Sequence, residues 1–322
     1  MGFTVPNSRS PKGVSSNTRI CVIIPTVNEA PTIYNLVKAF PRQIHSIPVE
    51  TIVIDGGSTD GTVQLAKEAG AQLLVQKSKG KGAAMREAVR SAGGDILVFI
   101  DGDGTYLPEE LESLVTPISG GEADIVVGSR SKGHIEKGAI SWLNRLGNKL
   151  FTSMVNLSMH ARVTDMLSGY RAMRTQIFNN LILFSEGFEI EAEMTIEALA
   201  RRYKIIEVPI TYRRRKGTST KLNAVKDGIE IMKTLFFVVT SSRPLFFFSV
   251  LATIFFLAGL YPAALVLYEK LTLGEVFHLP SVVLSSLLFI TGILVLIFGL
   301  VADLIVSTRR RLEYLLEKRV EE

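Results

Sequence analysis

The chain has 322 residues, a formal net charge of +5 and one cysteine. The single cysteine, Cys21, excludes an internal disulfide framework and lies in an apolar run typical of a core. The four scattered histidines lack the spacing of a metal site, and the basic balance allows nucleic acid, anionic lipid or an anionic substrate as partner. Apolar segments near the C-terminus favour the last two over nucleic acid.

The chain divides into segments of different composition. Residues 1–17 are polar, and we predict a flexible leader without a signal peptide. Residues 18–220 alternate apolar runs with polar turns, as expected for one α/β domain. Residues 221–242 place apolar side chains at helical spacing, which predicts a juxtamembrane amphipathic helix or a helix packed on the domain.

Residues 243–308 contain two long apolar segments. The first, 244–268, carries no charge, and the second, 280–306, carries only Asp303. Both are long enough to cross a bilayer, so we predict two transmembrane helices; a buried hairpin of a soluble protein is the alternative. Arg243 and the three arginines at 309–311 predict a cytoplasmic N-terminal domain and a cytoplasmic basic tail over residues 309–322.

In the α/β domain, apolar runs alternate with helical patterns. The runs predict strands at 19–25, 49–55, 71–76, 96–100 and 123–130. This alternation predicts a mainly parallel sheet with flanking helices.

Polar side chains follow several of these strands. They are Asn28, Glu29, Asp55, Asp101, Asp103, Ser129 and Arg130. Ligands bind at the carboxyl ends of strands in such sheets, so the set predicts a site, although each residue alone could be a turn residue. A Rossmann fingerprint and a P-loop are both absent, and we interpret "SKGKG" (78–82) as a solvated basic turn.

Asp101 and Asp103 are separated by one glycine after an apolar strand, and two such carboxylates repel each other. Paired carboxylates suit a hard divalent cation, Mg²⁺ or Mn²⁺, which bridges to substrate phosphates. We therefore predict a metal that neutralises the pair. A lysine bridging the two aspartates, or a pair pointing into the core, would contradict this prediction.

Residues 138–163 place Trp142, Leu146, Leu150 and Met154 at helical spacing among polar residues. This pattern predicts an amphipathic helix near the membrane that guides a lipid to the site, or an ordinary packed helix.

Four motifs, "VIIPTVNE", "VIDGGSTDGT", "DGDGTYLP" and "ADIVVGSR", resemble in order and spacing the GT-A catalytic domain of family 2 glycosyltransferases. "VTDMLSGYRAMR" and "YKIIEVPITYRRRKGTSTKL" narrow the resemblance to the polyprenyl-phosphate branch, which includes dolichyl-phosphate mannose and glucose synthases. The likeness to archaeal dolichyl-phosphate glycosyltransferases of N-glycosylation extends over residues 18–315. It implies a GT-A fold with a Rossmann-like mixed sheet over residues 18–220, followed by a transmembrane hairpin.

The resemblance also implies a role for each matching residue. The nucleoside pocket would contain Pro25, Asn28, Glu29 and Asp55, with Asp101 reaching the donor. Asp101 and Asp103 would bind the metal, and with Arg130 and Arg215 would form the catalytic set. The acceptor phosphate would be bound by Arg130, Ser168, Arg171, Arg213, Arg215 and Lys221. Asp165, Gly169 and Glu191 would lie near the sugar and acceptor, with a solvated helix face as the alternative for Glu191.

The implied activity is inverting transfer of a sugar from a nucleotide sugar, UDP-glucose or UDP-N-acetylglucosamine, to dolichyl or polyprenyl phosphate at the cell membrane. GDP-mannose as donor, another lipid-linked acceptor, and a catalytically idle scaffold are the alternatives. Thr105 stands where mannose synthases usually carry a metal-binding glutamine, which leaves the third metal contact open and disfavours GDP-mannose. The Q-x-x-R-W motif of polymer-forming relatives is absent. The choice between Mg²⁺ and Mn²⁺, the isoprenoid length and the oligomeric state are left open.

Overall fold

The computed structural model describes residues 18–215 and 244–321. The predicted leader, the predicted juxtamembrane helix at 221–242 and Lys221 lie outside the described residues. The two described ranges belong to two compact units, which are treated separately below.

The first unit alternates strands and helices. Its strands are β1 (Ile20–Thr26), β2 (Gln43–Ile44), β3 (Ile47–Asp55), β4 (Gln72–Val75), β5 (Ile96–Phe99), β6 (Ile125–Ile135), β7 (Arg171–Arg174) and β8 (Ile205–Tyr212). Its helices are α1 (Ala30–Ala39), α2 (Thr62–Ala69), α3 (Lys81–Ser91), α4 (Leu111–Ser119), α5 (Trp142–Met159), α6 (Thr175–Asn180) and α7 (Ile190–Ala200).

The strands form one mixed sheet in the order β2-β3-β1-β5-β7-β6-β8, with β4 also pairing with β3. The pairs β1–β3, β1–β5, β3–β4 and β6–β8 are parallel, as predicted from the alternation. Strand β7 runs antiparallel to both β5 and β6. The mixed sheet that the family resemblance implies is therefore confirmed.

The central strands are buried on both faces. Along β1, Ile20, Val22 and Ile24 face one core cluster, and Cys21 and Ile23 face the other. Helices α1 and α4 cover the first face, and α3, α6 and α7 cover the second. A strand covered on both faces requires an uninterrupted apolar run, which explains why the β1 sequence does not alternate with polar residues. Burial raises the pKa of the Cys21 thiol to about 12.

The second unit contains α8 (Pro244–Leu273) and α9 (Leu279–Glu321). The segments Pro244–Leu273 and Leu279–Thr308 are long and apolar enough to cross a membrane, with mean hydropathies of 2.3 and 2.7. Only 17% and 11% of their most apolar windows are buried, which argues against a core hairpin of a soluble protein.

The two apolar helices pack against each other through glycines. A Cβ on Gly292 would lie 2.8 Å from the Phe256 ring, and a Cβ on Gly299 would lie 2.6 Å from Phe248 Cβ. Small residues let helices approach closely, which is how apolar helices associate where water supplies no driving force. The contacts pair the end of one helix with the start of the other, so the two helices form an antiparallel hairpin.

Candidate active site

The loops after β1 and β3 are joined by hydrogen bonds at the carboxyl edge of the sheet. The register places Thr26 beside Asp55. The Asn28 side-chain oxygen accepts from the Thr59 N–H at 2.8 Å, and the Asn28 N–H donates to the Ser58 hydroxyl at 2.8 Å. Asn28 has a φ of 52°, a left-handed conformation that asparagine tolerates better than most residues. The structure thus brings the predicted nucleoside-pocket residues together.

Asp55 organises its own loop. Its buried carboxylate accepts hydrogen bonds from the Gly57 N–H at 2.9 Å and the Ser58 N–H at 2.8 Å, and from the Ser58 hydroxyl. The loop from 56 to 58 is therefore shaped by Asp55. The direct contact to a nucleoside that the resemblance implies stays a prediction.

Asp101 and Asp103, here called the acidic pair, follow β5. One Asp103 oxygen accepts from the Thr105 N–H at 3.1 Å and from the Thr105 hydroxyl at 2.6 Å, and the other lies 3.6 Å from Arg215 Nη1. Burial and the neighbouring Asp101 raise the pKa of Asp103. Asp101 therefore disfavours the charged form of Asp103, as expected for paired carboxylates.

Lys81 is a site residue that the sequence reasoning missed. Its ammonium contacts an Asp101 oxygen and lies 2.5 Å from Glu191 Oε1, with 10% of the side chain exposed. Although burial acts in the opposite direction, the carboxylates of Asp101 and Glu191 raise the pKa of Lys81. The interpretation of "SKGKG" as a solvated turn is wrong for Lys81, and so is the solvated helix face for Glu191. Because Lys81 joins Asp101 to Glu191 and not to Asp103, it does not bridge the acidic pair.

Two glycines explain why Lys81 reaches the site. A Cβ on Gly80 would lie 2.2 Å from the Glu186 carbonyl oxygen, and a Cβ on Gly82 would lie 2.3 Å from that of Ser185. The Gly82 N–H donates to the Glu186 carbonyl at 2.7 Å, so the segment before α7 closes on the first turn of α3. The sequence signal was the run of small and apolar residues from Gly82 to Met85, which the structure shows to be buried.

Gly169 lies against Asp101 of the acidic pair, and its implied place beside the sugar and acceptor stays a prediction. A Cβ at this position would lie 2.9 Å from Asp101 Oδ2 and 3.1 Å from Lys81 Nζ. The Gly169 N–H donates to the Tyr106 hydroxyl at 2.9 Å. Ser168 is fully buried with its hydroxyl 3.5 Å from that of Tyr106, which argues against its predicted contact with an acceptor phosphate.

Arg130 is held by Asp165 through a bidentate ion pair. Arg130 Nε donates to Oδ2 at 2.7 Å and Nη2 to Oδ1 at 2.8 Å, and the Arg130 N–H donates to Oδ2 at 2.9 Å. The guanidinium lies 5.2 Å from the centre of the Tyr212 ring. Burial lowers the pKa of Arg130, but Tyr106 and Asp165 raise it overall. Burial raises the pKa of Asp165, but Arg130 lowers it overall.

Two further residues fix Asp165, and the sequence reasoning missed both. The Asn148 amide of α5 donates to Asp165 Oδ1 at 2.9 Å. Glu207 of β8 accepts from the N–H groups of Thr164 and Asp165 at 2.6 and 3.0 Å. We call Arg130, Asp165, Asn148 and Glu207 the Asp165 clamp. Glu207 gave no signal because one acidic residue in an apolar strand usually faces solvent.

The structure corrects the prediction for Arg171. This side chain is 1% exposed, and all three guanidinium nitrogens donate to protein oxygens: the carbonyls of Met166, Ser168 and Glu191 and the Thr195 hydroxyl. Burial lowers the pKa of Arg171. A direct contact with an acceptor phosphate is therefore not supported. Arg171 instead joins the segment before β7 to helix α7.

The arginines after β8 differ from one another. Arg215 Nη2 donates to Glu29 Oε1 at 2.5 Å and Nη1 lies near Asp103, so Arg215 links the predicted nucleoside pocket to the acidic pair. Arg213 is exposed, and its N–H donates to the Thr105 carbonyl at 2.7 Å.

The carboxylates of the acidic pair fit a divalent cation that takes most of its ligands from groups other than protein side chains. Within residues 18–215 and 244–321, no group of three or more His, Cys, Asp or Glu side chains could hold a metal ion. The acidic pair supplies carboxylate oxygens, which Mg²⁺ and Mn²⁺ accept. Thr105 is buried and bonded to Asp103, so it does not replace the glutamine of mannose synthases.

Comparisons with known proteins identify the family of this chain. The model of the family described as glycosyl transferase family 2 matches residues 21–182. Glycosyltransferase AglJ of Haloferax volcanii is 36% identical over 305 residues, which cover 94% of this chain and 97% of that protein. Dolichyl-phosphate hexose transferase of the same organism is 34% identical, covering 70% and 95%. Polyprenol monophosphomannose synthase of Mycolicibacterium smegmatis is 30% identical, covering 73% and 93%.

Solved structures agree on the fold. Glucosyl-3-phosphoglycerate synthase from Mycobacterium tuberculosis, crystallised with Mn²⁺, uridine diphosphate and product, matches with a TM-score of 0.58 and 24% identity over 69% of this chain and 80% of that one. The same enzyme was crystallised with Mg²⁺ and uridine diphosphate. This likeness shows a GT-A fold. Since the family model covers half of the chain and a relative matches nearly all of it, the chain belongs to glycosyl transferase family 2.

Proposed function

We propose that this protein transfers a sugar from a nucleotide sugar to dolichyl or polyprenyl phosphate at a membrane, with inversion, as a step in lipid-linked glycan assembly. Relatives that match over 93% or more of their own length include a dolichyl-phosphate hexose transferase and a polyprenol monophosphomannose synthase. Two apolar helices in the same chain support a lipid acceptor.

The observation that carries the proposal is the placement of opposite charges on either side of Tyr106. On one side, the Tyr106 ring packs 5.0 Å from that of Tyr212, and Tyr212 lies against the Arg130 guanidinium. On the other side, the Tyr106 hydroxyl accepts from the N–H of Gly169, which lies against Asp101. A fixed guanidinium suits an incoming phosphate, and the carboxylates suit a cation on a diphosphate.

This arrangement fits an acceptor that needs no general base. A sugar hydroxyl must lose a proton to attack, whereas a lipid monophosphate is already an oxyanion near neutral pH. A phosphate oxygen attacks the anomeric carbon, the bond from that carbon to the diphosphate oxygen breaks, and nucleoside diphosphate leaves. Positioning and charge neutralisation then supply most of the rate.

The chain's own residues hold the two anionic substrates together. Arg130, oriented by the Asp165 clamp, receives the acceptor phosphate in a bidentate contact that lysine does not reproduce. Arg215 lies between Glu29 and Asp103, so we assign it to the donor side instead of the acceptor phosphate that the resemblance implies. A divalent cation, Mg²⁺ or Mn²⁺, held by the acidic pair would supply positive charge to the leaving diphosphate. Lys81 balances Asp101 and Glu191.

For the donor, we propose UDP-glucose or UDP-N-acetylglucosamine. GDP-mannose is the second candidate, because the relatives include a polyprenol monophosphomannose synthase and a dolichol-phosphate mannosyltransferase. A single side chain in a sugar pocket can change such a preference.

The test is a panel of donors with the purified full chain. Dolichyl phosphate is mixed with labelled UDP-glucose, UDP-N-acetylglucosamine or GDP-mannose in turn, and label is measured in the organic phase. We expect transfer from one UDP-sugar, its loss with chelator, and none when dolichol replaces dolichyl phosphate. Transfer to diacylglycerol or to a lipid-linked sugar, but not to dolichyl phosphate, would contradict the proposed acceptor.

We further propose that α8 and α9 cross the cell membrane with the catalytic unit and the C-terminus on the cytoplasmic side. The support is the position of Arg243 and of the arginines at 309–311 at the ends of the spans. Reporter fusions at each terminus and at residue 275 should show the two termini on the cytoplasmic side and residue 275 on the opposite side.

A further inference from the structure

Helix α5 has two faces of opposite character. Along one face, Trp142, Leu146, Leu150, Met154 and Leu157 follow at intervals of three or four residues, and all five are exposed. We call these residues the apolar stripe. Trp142 is 74% exposed and Leu157 is 67% exposed. Scattered exposed apolar residues are ordinary, but a continuous stripe of five along one helix is typical of a surface that contacts lipid or protein.

Charge favours an anionic lipid surface as the partner of this stripe. Arg145 and Lys149 are exposed on the same helix and flank the stripe on one side. The sequence of α5 contains neither Asp nor Glu. An apolar face with flanking basic residues and a tryptophan at one end is the composition of a helix that lies in the headgroup region of a bilayer. The same chain carries two helices apolar enough to hold it at a bilayer.

The opposite face of α5 is attached to the Asp165 clamp. Asn148 donates to Asp165 Oδ1 at 2.9 Å. One helical turn further on, the Thr152 hydroxyl donates to the Asn148 side-chain oxygen at 3.4 Å. After another turn, the Asn156 amide donates to the Val163 carbonyl at 2.8 Å. The Val163 N–H donates back to Asn156 Oδ1 at 3.0 Å. Helix α5 is therefore linked along its length to the segment before Asp165.

We propose that α5 lies in the headgroup region of the bilayer with the apolar stripe in the lipid, and that Asn148 is a positioning residue that couples this contact to Arg130. The lipid contact rests on the stripe and its charges, whereas the benefit to Arg130 rests on the proposed function. A polyprenyl phosphate presents its phosphate at the headgroup level, so a helix at that level holds Arg130 where the acceptor phosphate is found.

The sole tryptophan of the chain, Trp142, makes the lipid contact directly measurable. The full chain is reconstituted into vesicles of phosphatidylcholine and phosphatidylglycerol, with or without bromine on the acyl chains. We expect brominated chains to reduce Trp142 emission and aqueous iodide to leave it unchanged. The quenching measurement does not depend on catalysis, so it separates failure of the lipid contact from failure of the proposed activity.

Two results would overturn the lipid contact. Quenching by iodide and not by brominated lipid would place the stripe in water. Protection from both quenchers that increases with protein density in the vesicles would assign the stripe to contact between copies of the chain.

Variants test the coupling. Leu150→Glu should reduce quenching by brominated lipid and raise the KM for dolichyl phosphate, with the KM for the nucleotide sugar unchanged. Tyr34→Glu, at an exposed position of α1, is the matched control and should alter neither. Asn148→Ala should retain lipid quenching but raise the KM for dolichyl phosphate. An Asn148→Ala protein with wild-type kinetics would refute the positioning role.

Discussion

Asp103, which is half-buried, and Asp165, which is buried, are both carboxylates of the candidate site, yet their surroundings shift their pKa values in opposite directions. Burial and the neighbouring Asp101 raise the pKa of Asp103. Burial acts in the same direction on Asp165, but the bidentate contact with Arg130 outweighs it and lowers the pKa. Asp165 also accepts from Asn148 and is fixed through its N–H by Glu207.

The opposite pKa shifts indicate different roles for Asp103 and Asp165. A carboxylate whose charge is incompletely balanced attracts a cation, and proteins tolerate that cost mainly where the cation takes part in function. A carboxylate whose partners are all supplied by the protein instead fixes the geometry of its partner. The acidic pair is thus suited to bind a metal with the donor, and the Asp165 clamp is suited to orient Arg130.

The largest expected effect comes from removing one charge of the acidic pair. Asp103→Asn should lower sugar transfer about a hundredfold or more, because the charge that stabilises the leaving group is weakened. In metal-free buffer the same change should leave the thermal midpoint nearly unchanged, since the asparagine oxygen still accepts from Thr105 and the lost repulsion with Asp101 offsets the lost contact with Arg215. A clear fall in the thermal midpoint would show that Asp103 is structural and would remove the contrast with Asp165.

Removing Asp165 should have the opposite signature. Asp165→Ala leaves the half-buried Arg130 without its carboxylate and should cost about 3 kcal/mol of stability. The double variant Arg130→Leu/Asp165→Leu should recover part of that stability and none of the activity. Chemical denaturation, read by circular dichroism, measures both variants.

The pH dependence of the clamp follows from the lowered pKa of Asp165. A carboxylate with a depressed folded pKa contributes stability above its ordinary pKa of about 3.9, and this contribution is lost as the pH falls through the folded value. The stability difference between wild type and Asp165→Asn should therefore be constant from about pH 8 to 5 and shrink below about pH 4. A difference that shrinks already near pH 6 would mean that another group titrates.

Lys81 makes one half of the acidic pair resemble the Asp165 clamp, because it supplies a protein cation to Asp101 but not to Asp103. Lys81→Met should lower stability by about 3 kcal/mol, since Asp101 and Glu191 lose their shared partner. Adding Mn²⁺ should raise the thermal midpoint of this variant more than that of wild type, because the metal then replaces a missing charge. An equal response in both proteins would show that Lys81 does not influence the metal site.

The smallest change tests the close approach of backbone to the acidic pair. Gly169→Ala places a Cβ 2.9 Å from Asp101 Oδ2 and should lower transfer about tenfold, with a stability loss of about 1 kcal/mol. Gly147→Ala is the matched control, because its Cβ would meet nothing closer than 3.9 Å. That substitution in α5 should leave activity unchanged and stabilise the helix slightly. Equal effects of the two substitutions would contradict the close packing at Gly169.

Much of the site could be predicted from residues that follow strands. Glu29, Asp101 and Asp103 stand directly after apolar runs, and the parallel order of β3, β1 and β5 brings such positions to one edge of the sheet. Arg130 ends a recognisable motif, whereas the contact of Arg215 with Glu29 was not predicted. The positions of these residues could be predicted because strand ends and turns depend on local sequence patterns, and their roles stay predictions.

The partners of the buried charges could not be predicted in this way. Lys81 and Glu191 are joined across 110 positions of the chain, and Glu207 reaches Asp165 from 42 positions away. Arg171 matched a motif beside the acceptor, but its environment is decided by carbonyl groups that point inward from α7 and the preceding segment. No local pattern shows whether a charged side chain meets water, a ligand or a buried partner.

Local sequence patterns were enough to predict the alternation of strands and helices, the two apolar helices and the position of the acidic pair after β5. Each of these depends on neighbouring residues, through hydrophobic spacing or through the step from strand to turn. No local pattern predicted the reversal of β7, the pairing of Lys81 with Asp101, the clamp on Arg130 or the burial of Arg171. These features depend on packing between distant segments, where desolvation and charge pairing act on groups that are neighbours in space but not along the chain.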